Sequence, residues 1–167
     1  MSKAKTKTKS KKKSWREKLA DSKGLPQAAE IDCTKSSRWG EGTFVIPAPL
    51  DVDHAMKKIR AGKLTTIDAL RKALAKRFGT TIACPLTTGI FAWIAAHAAD
   101  EAEAEGRRPI TPYWRTLKAG GELNPKYPGG VANLRRRLAA EGHKIAQRGK
   151  RYYVIDYERA VVEPKLT

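Results

Sequence analysis

Only five residues, TTIAC, separate Gly79 from Pro85, and each of these two residues bounds a helical pattern. So short a connection forces two consecutive helices to cross in contact. Upstream of it, Thr66 is placed to cap a helix whose apolar positions Ile67, Leu70, Leu74 and Phe78 recur at intervals of three and four, and Gly79 ends it. The other face of that helix carries Arg71, Lys72, Lys76 and Arg77. Downstream, PLTTGIFAWIAAHAADEAEAE opens on a proline suited to a first helical turn. Earlier still, DVDHAMKKIRAG gathers Val52, Ala55, Met56 and Ile59 on one face and stops at Gly62. Three helices with a short turn between the second and third match a helix-turn-helix.

Plotted at about 100° per residue, the third helix places Leu86, Ile90, Trp93, Ile94 and His97 on one side. Thr88, Gly89, Ala92, Ala95, Ala96 and Ala99 fall on the other. The large side is expected to be core. The small side has two explanations, close approach of another helix or of a DNA groove, and it lacks the Arg, Asn or Gln that reads base edges. Further on, Val131, Leu134 and Leu138 define a fourth helix with the exposed turn Arg135, Arg136 and Arg137, ended by Gly142. HKIAQRGKRYYVIDY then alternates and turns at Arg148–Gly149, which reads as a β-hairpin over 143–162 with a basic tip, the outline of a wing. The expected fold is mainly α: a winged helix-turn-helix with a C-terminal β-hairpin and a disordered basic N-terminal tail.

The tail is residues 1–14, whose opening MSKAKTKTKSKKK holds seven lysines in thirteen residues and almost nothing apolar to bury. Residues 15–50 read as an extended, irregular segment with a strand only at 43–46, before the helical domain of 51–146. The whole chain has 34 Lys and Arg against 17 Asp and Glu, a formal charge of +17. Such an excess points to a polyanionic partner, double-stranded DNA first. A membrane is not expected, because no apolar run approaches the roughly 20 residues of a span and the basic N-terminus lacks a signal-peptide core. A cytoplasmic, nucleoid-associated location follows as the expectation. Cys33 and Cys84 have no Cys or His at metal spacing, so reduced thiols and no metal or cofactor are expected. His54, His97 and His143 read as structural or solvated.

From Leu50 to about Ile145 the chain resembles the DNA-binding domain of the alkylguanine-DNA alkyltransferases, the methylated-DNA–protein-cysteine methyltransferase family. GKLTTIDALRKALAKRFG is similar to that family's first helix-turn segment, and the Pro85 helix stands where its recognition helix does. TPYWRT falls at its Pro-Cys-His-Arg-Val signature, GGELNPKYPGG resembles the glycine and tyrosine loop that follows, and LAAEG resembles the helix end with its glutamate. Pro112 and Arg115 agree with the signature, but Tyr113 stands at the acceptor cysteine and Trp114 at the neighbouring histidine. Alkyl transfer needs a thiolate, and a phenol with an ordinary pKa of about 10 is a poor substitute. The resemblance therefore implies the alkyltransferase-like branch, in which an aromatic replaces the cysteine and no enzymatic activity is expected. Two further departures touch base flipping: Gly89 stands at the family's intercalating arginine and Ile67 at its phosphate-rotating tyrosine.

The implied lesion pocket is Tyr113, Trp114, Arg115, Tyr127, Gly129, Gly130 and Glu141, with the aromatics stacking on an extruded base and Glu141 orienting Arg115 or Trp114 from behind. The expected DNA contacts are Thr66, Arg71, Lys72, Thr87, Thr88, Gly89, Arg135, Arg136, Arg148, Lys150 and Arg151, with Lys11, Lys12 and Lys13 on the tail. The function so implied is non-catalytic recognition of O6-alkylguanine or distorted duplex in DNA repair, with transfer to downstream repair proteins. The alternative is a nucleoid-associated or regulatory winged-helix protein without damage specificity. An acceptor role for Cys84, beside a helix N-terminus, is the least favoured reading.

Overall fold

The computed structural model describes residues 11–32, 34 and 37–166. Most of the Lys-rich tail and Cys33 lie outside the described residues. In chain order the elements are α1 (Trp15–Ala20), β1 (Gln27–Glu30), β2 (Thr43–Ile46), α2 (Pro49–Lys57), β3 (Thr65–Thr66), α3 (Ile67–Phe78), β4 (Ile82–Ala83), α4 (Pro85–Ala104), β5 (Thr116–Leu117), α5 (Gly130–Ala140), β6 (Ile145–Arg148) and β7 (Arg151–Val154). The expectation of a mainly α chain is corrected to a mixed α/β one, with five helices and three small sheets among the described residues. Strands of two residues leave no alternation to read in a sequence, which is why they were missed.

The TTIAC connection is itself part of a sheet. β4 runs parallel to β2, and β2 pairs antiparallel with β1, giving the order β1-β2-β4. Thr81 N–H donates to Thr43 O at 3.0 Å and Cys84 N–H to Val45 O at 2.9 Å, so the turn between α3 and α4 is pinned at both ends. Arg71 closes the same turn by donating from Nε to Ala83 O at 3.0 Å. The segment preceding the helical region thus shares a sheet with it, where the sequence suggested an irregular run holding one strand.

α1 is the other element missed there. Ser14 and Glu17 form a capping box, the hydroxyl accepting from Glu17 N–H at 3.1 Å and the carboxylate from Ser14 N–H at 2.7 Å. Six residues are too few for a stable isolated helix, and α1 is held by α4. The Trp15 ring stacks on His97 with centroids 4.4 Å apart and meets Trp93 edge-on at 4.8 Å. Trp15 N–H donates to Glu101 at 3.0 Å, and Arg16 reaches Glu101 at 3.1 Å and Glu105 at 2.7 Å.

The orientation of α4 reverses the expected one in part: Ile94 is buried as expected, but Leu86 and Ile90 are not. Its buried residues are Thr88, Phe91, Ala92, Ile94, Ala95, Ala96, Ala98 and Ala99, while Leu86 and Ile90 are exposed. The small side is the core side because α2 and α3 pack directly on it and alanines let their backbones approach. Of the two explanations for that stripe, close helix packing is the one realised.

The basic hairpin forms as expected, β6 pairing antiparallel with β7 around Gly149, which has φ +62°. Leu123 N–H donates to Tyr152 O at 2.8 Å and Glu122 bridges to Tyr153, fastening the hairpin to the loop that follows β5. Replacing Trp15 with alanine should lower the unfolding free energy by about 2 kcal/mol. Urea unfolding followed by circular dichroism checks this, and an unshifted midpoint would show that α1 does not support α4.

Candidate nucleic-acid interface

The loop over 110–130 is held by one carboxylate. Glu141, at the end of α5, accepts from Arg115 Nη2 at 2.6 Å and Nε at 2.9 Å, from Trp114 Nε1 at 3.0 Å and from Gly62 N–H at 3.3 Å. Arg115 donates its remaining Nη1 to Ile59 O at 2.7 Å, just beyond the end of α2. A second tether runs from Thr111, whose hydroxyl donates to Asp53 of α2 at 2.6 Å. Burial alone would raise the Glu141 pKa, but the bonds from Arg115 and Trp114 outweigh it and hold the carboxyl below the ordinary glutamate range. The side chain of Glu141 therefore bonds Arg115 and Trp114 together.

Tyr113 and Tyr127 are core residues, which corrects their expected role as stacking platforms. Tyr113 is wholly buried at the start of a single 3-10 turn, and Tyr127 packs edge-on to it with centroids 6.1 Å apart. Asn133 Nδ2 donates to the Tyr113 hydroxyl at 2.9 Å, and the Arg137 guanidinium lies 5.6 Å from the ring centroid. Burial raises the pKa of both phenols, so Tyr113 stays protonated and un-nucleophilic. Gly129 and Gly130 are turn glycines with φ +72° and +63°. A side chain on Gly129 would place its Cβ 2.6 Å from that of Asn133, so this glycine protects the residue that holds Tyr113. Trp114 stays half-buried on a cavity of about 760 Å³, shared with Lys57, Arg108, Arg115 and Arg137. The cations there are paired: Arg137 and Arg108 with Glu103, Lys57 with Asp53.

A second recess, of about 690 Å³, runs along the N-terminal half of α4. Pro85, Leu86, Gly89, Ile90, Trp93 and His97 form one wall; Ile67, Lys118, Asn124 and Lys126 form the other. Trp93 Nε1 donates to Lys126 O at 3.1 Å, joining the walls. Ile67 and Gly89, the two positions flagged as departures, meet here. No carboxylate lines this groove, although Lys118 Nζ lies 3.7 Å from Glu122. Sequence reasoning missed Leu86 and Ile90 by assigning them to the core. It also missed Lys118, Asn124 and Lys126; the signal available was their place in the same glycine-rich loop as Tyr127.

The other expected DNA contacts divide. Thr66 caps α3, accepting from Ala69 N–H at 3.1 Å. Thr88 is buried and donates to Cys84 O at 2.7 Å, so it has no hydroxyl for phosphate; a threonine one turn into a helix finds its own backbone instead. The Thr87 hydroxyl is buried without a described partner. Cys84 is buried at the N-cap of α4, outside the loop over 110–130. Arg71 is spent on the β4 turn and on Asp68, while Lys72 lies beside it exposed. Arg135 and Arg136 line a separate recess with His143 and Ile145. Arg148 and Lys150 are exposed at the hairpin tip, and Arg151 Nε lies 3.9 Å from Glu122. On the tail, Lys11 and Lys12 are exposed and Lys13 pairs with Asp21 at 2.9 Å.

No protein-family model and no curated protein matches the sequence. Among solved structures, S. pombe ATL in complex with DNA is 19% identical, covering 70% of this chain and 94% of that one at a TM-score of 0.50. S. pombe Atl1 in complex with damaged DNA containing O6-carboxymethylguanine has the same identity and coverage at a TM-score of 0.48. The fold is similar to that of S. pombe ATL. Within that arrangement Tyr113 is buried and the α4 groove is open.

Replacing Glu141 with alanine leaves Arg115 unpaired in a half-buried site and should cost on the order of 3 kcal/mol, read as a fall in the urea midpoint at unchanged slope. The native pKa lies below the unfolded one, so this contribution is present above the ordinary glutamate range and fades as pH falls through the native value. Acid titration of the wild type should accordingly show loss of stability at low pH that the alanine variant has in smaller degree.

Proposed function

We propose that this protein is a non-catalytic DNA-binding protein that recognises alkylated or distorted duplex and marks it for other repair factors. The observation that carries this reading is the pairing of an open, carboxylate-free groove on α4 with a sealed acceptor position, within an alkyltransferase-like fold. In this reading the groove receives the nucleotide, and the burial of Tyr113 supports the absence of a group that reacts with it. A volume of about 690 Å³ lies within the range of small-molecule sites.

In this reading the duplex lies along the N-terminal half of α4. Lys118 and Lys126 flank it, exposed Lys72 and the tail lysines reach phosphates, and the tip cations Arg148 and Lys150 act as a wing. The excess of cations releases counterions on binding, so affinity falls steeply with salt. Extruding a base costs a few kcal/mol, and stacking recovers about 1–3 kcal/mol per aromatic contact. Trp93, whose indole is held by Lys126 O, is the aromatic available in the groove. It takes the part that buried Tyr113 and Tyr127 do not.

One observation favours the second reading, a nucleoid or regulatory protein without damage specificity: Gly89 brings no side chain into the groove where an arginine would hold the vacated stack. Competition binding near physiological salt, between duplexes differing by one O6-methylguanine, separates the two. A preference of tenfold or more, about 1.4 kcal/mol, is expected, and equal affinity would favour the second reading. Mass spectrometry of the protein recovered from alkylated DNA should show no added alkyl group on Tyr113 or Cys84; an adduct would overturn the non-catalytic assignment.

A further inference from the structure

Leu86 and Ile90 are out of place for a soluble helix. Leu86 is 70% and Ile90 42% exposed, four residues apart on one face of α4; the other large apolar side chains so exposed among the described residues, Leu50 and Ile155, lie outside that helix. Gly89 lies between them, and a Cβ built on it meets nothing within 4 Å. The helix backbone is therefore bare on the side where the two large side chains project.

The surroundings of this face select its occupant. The opposing wall supplies Lys118 and Lys126, and no carboxylate lines the groove. The acidic residues of α4, Asp100, Glu101, Glu103 and Glu105, all fall at its far end, where Arg16, Arg107, Arg108 and Arg137 pair with the glutamates. A second copy seated here would set lysines against lysines on chains that each carry +17. A polyanion that also offers flat apolar surface inside its grooves fits instead, and duplex DNA is that polyanion.

We propose that Leu86, backed by Ile90, is an apolar wedge that enters the duplex between base steps and holds it unstacked. The proposal rests on the DNA-binding reading above and deepens it. Apolar side chains on a groove-facing element commonly part a base step and kink the duplex. The bare backbone at Gly89 allows the close approach that insertion needs. A wedge of methyl groups has no donor or acceptor, so it reads no base edge. What it senses is the cost of parting the step, which is least where the pair is already weakened. The recognised class is thus destabilised base pairs in general, a mismatch included, and not one alkyl group.

Binding is measured on three duplexes that share a sequence and carry 2-aminopurine beside a matched G·C pair, an O6-methylguanine·C pair or an unmodified G·T mismatch. Wild type is expected to raise 2-aminopurine fluorescence severalfold at both the lesion and the mismatch, and to prefer both over the match. Leu86→Ala should abolish the fluorescence rise and lose about tenfold in affinity for those two duplexes, with the salt slope unchanged. Leu86→Met, apolar and of similar volume, should retain most of both. Leu86 is largely exposed, so the variants keep the core, which far-UV circular dichroism verifies. Wild-type binding with no fluorescence change, or with the same change in Leu86→Ala, overturns the wedge and leaves DNA binding standing. A preference for the lesion without one for the mismatch overturns the claimed class. A wild-type dimer that Leu86→Ala dissolves, with DNA binding untouched, assigns the face to a second copy. Absence of binding to any duplex defeats the underlying reading as well.

Discussion

The alanine face of α4 is the constraint on which the rest of the molecule depends. Ala92, Ala95, Ala96 and Ala99 are all buried, and α2 and α3 approach the helix through them. Close packing of this kind tolerates no larger side chain without strain. Once the small side is inside, Leu86, Ile90, Trp93 and His97 have no choice but to face outward. At the C-terminal half α1 covers them, with Trp15 against Trp93 and His97; at the N-terminal half nothing among the described residues does. The groove is thus a consequence of core packing along one helix.

The loop over 110–130 solves a different problem, that of keeping an irregular segment rigid. Arg115 has its guanidinium fully engaged by Glu141 and Ile59 O, so α5, the loop and the end of α2 move as one body. Tyr113 is wholly buried at the start of its 3-10 turn. Asn133 satisfies its hydroxyl, and burial keeps it a phenol.

The sequence made some of this legible and hid the rest for identifiable reasons. Caps and stops were readable: Thr66 and Gly79 bound α3, and Gly149 turns the hairpin, because each acts through its own backbone and near neighbours. The tie of Glu141 to Arg115 and Trp114 entered only through the resemblance, since nothing local links residues 26 and 27 apart. β4 was invisible because two residues have no periodicity. Leu86 and Ile90 of α4 were misplaced in the core because hydrophobic size was taken as the mark of burial, whereas tight helix crossings select small residues. Tyr113 and Tyr127 were misjudged for a related reason: aromatics in a glycine-rich loop look exposed until long-range partners such as Asn133 and Arg137 are placed around them.

Charge along α4 carries the functional argument one step further. Its acidic residues are confined to the last turns, an arrangement that the helix dipole disfavours and that the arginines around them offset. The first half has no carboxylate, faces two lysines across the groove and ends in the positive pole of the helix. The Leu86 end of α4 is therefore the more electropositive, because at the other end the arginines neutralise the carboxylates. α1 lies on the C-terminal half, and Lys11, Lys12 and Lys13 come just before its Ser14 cap. In the proposed DNA-binding reading, a phosphate backbone attracted to the Leu86 end of α4 and met by Lys11, Lys12 and Lys13 near the other is confined in direction as well as in distance. Contacts that read no base need that confinement in order to place an apolar wedge at a defined step.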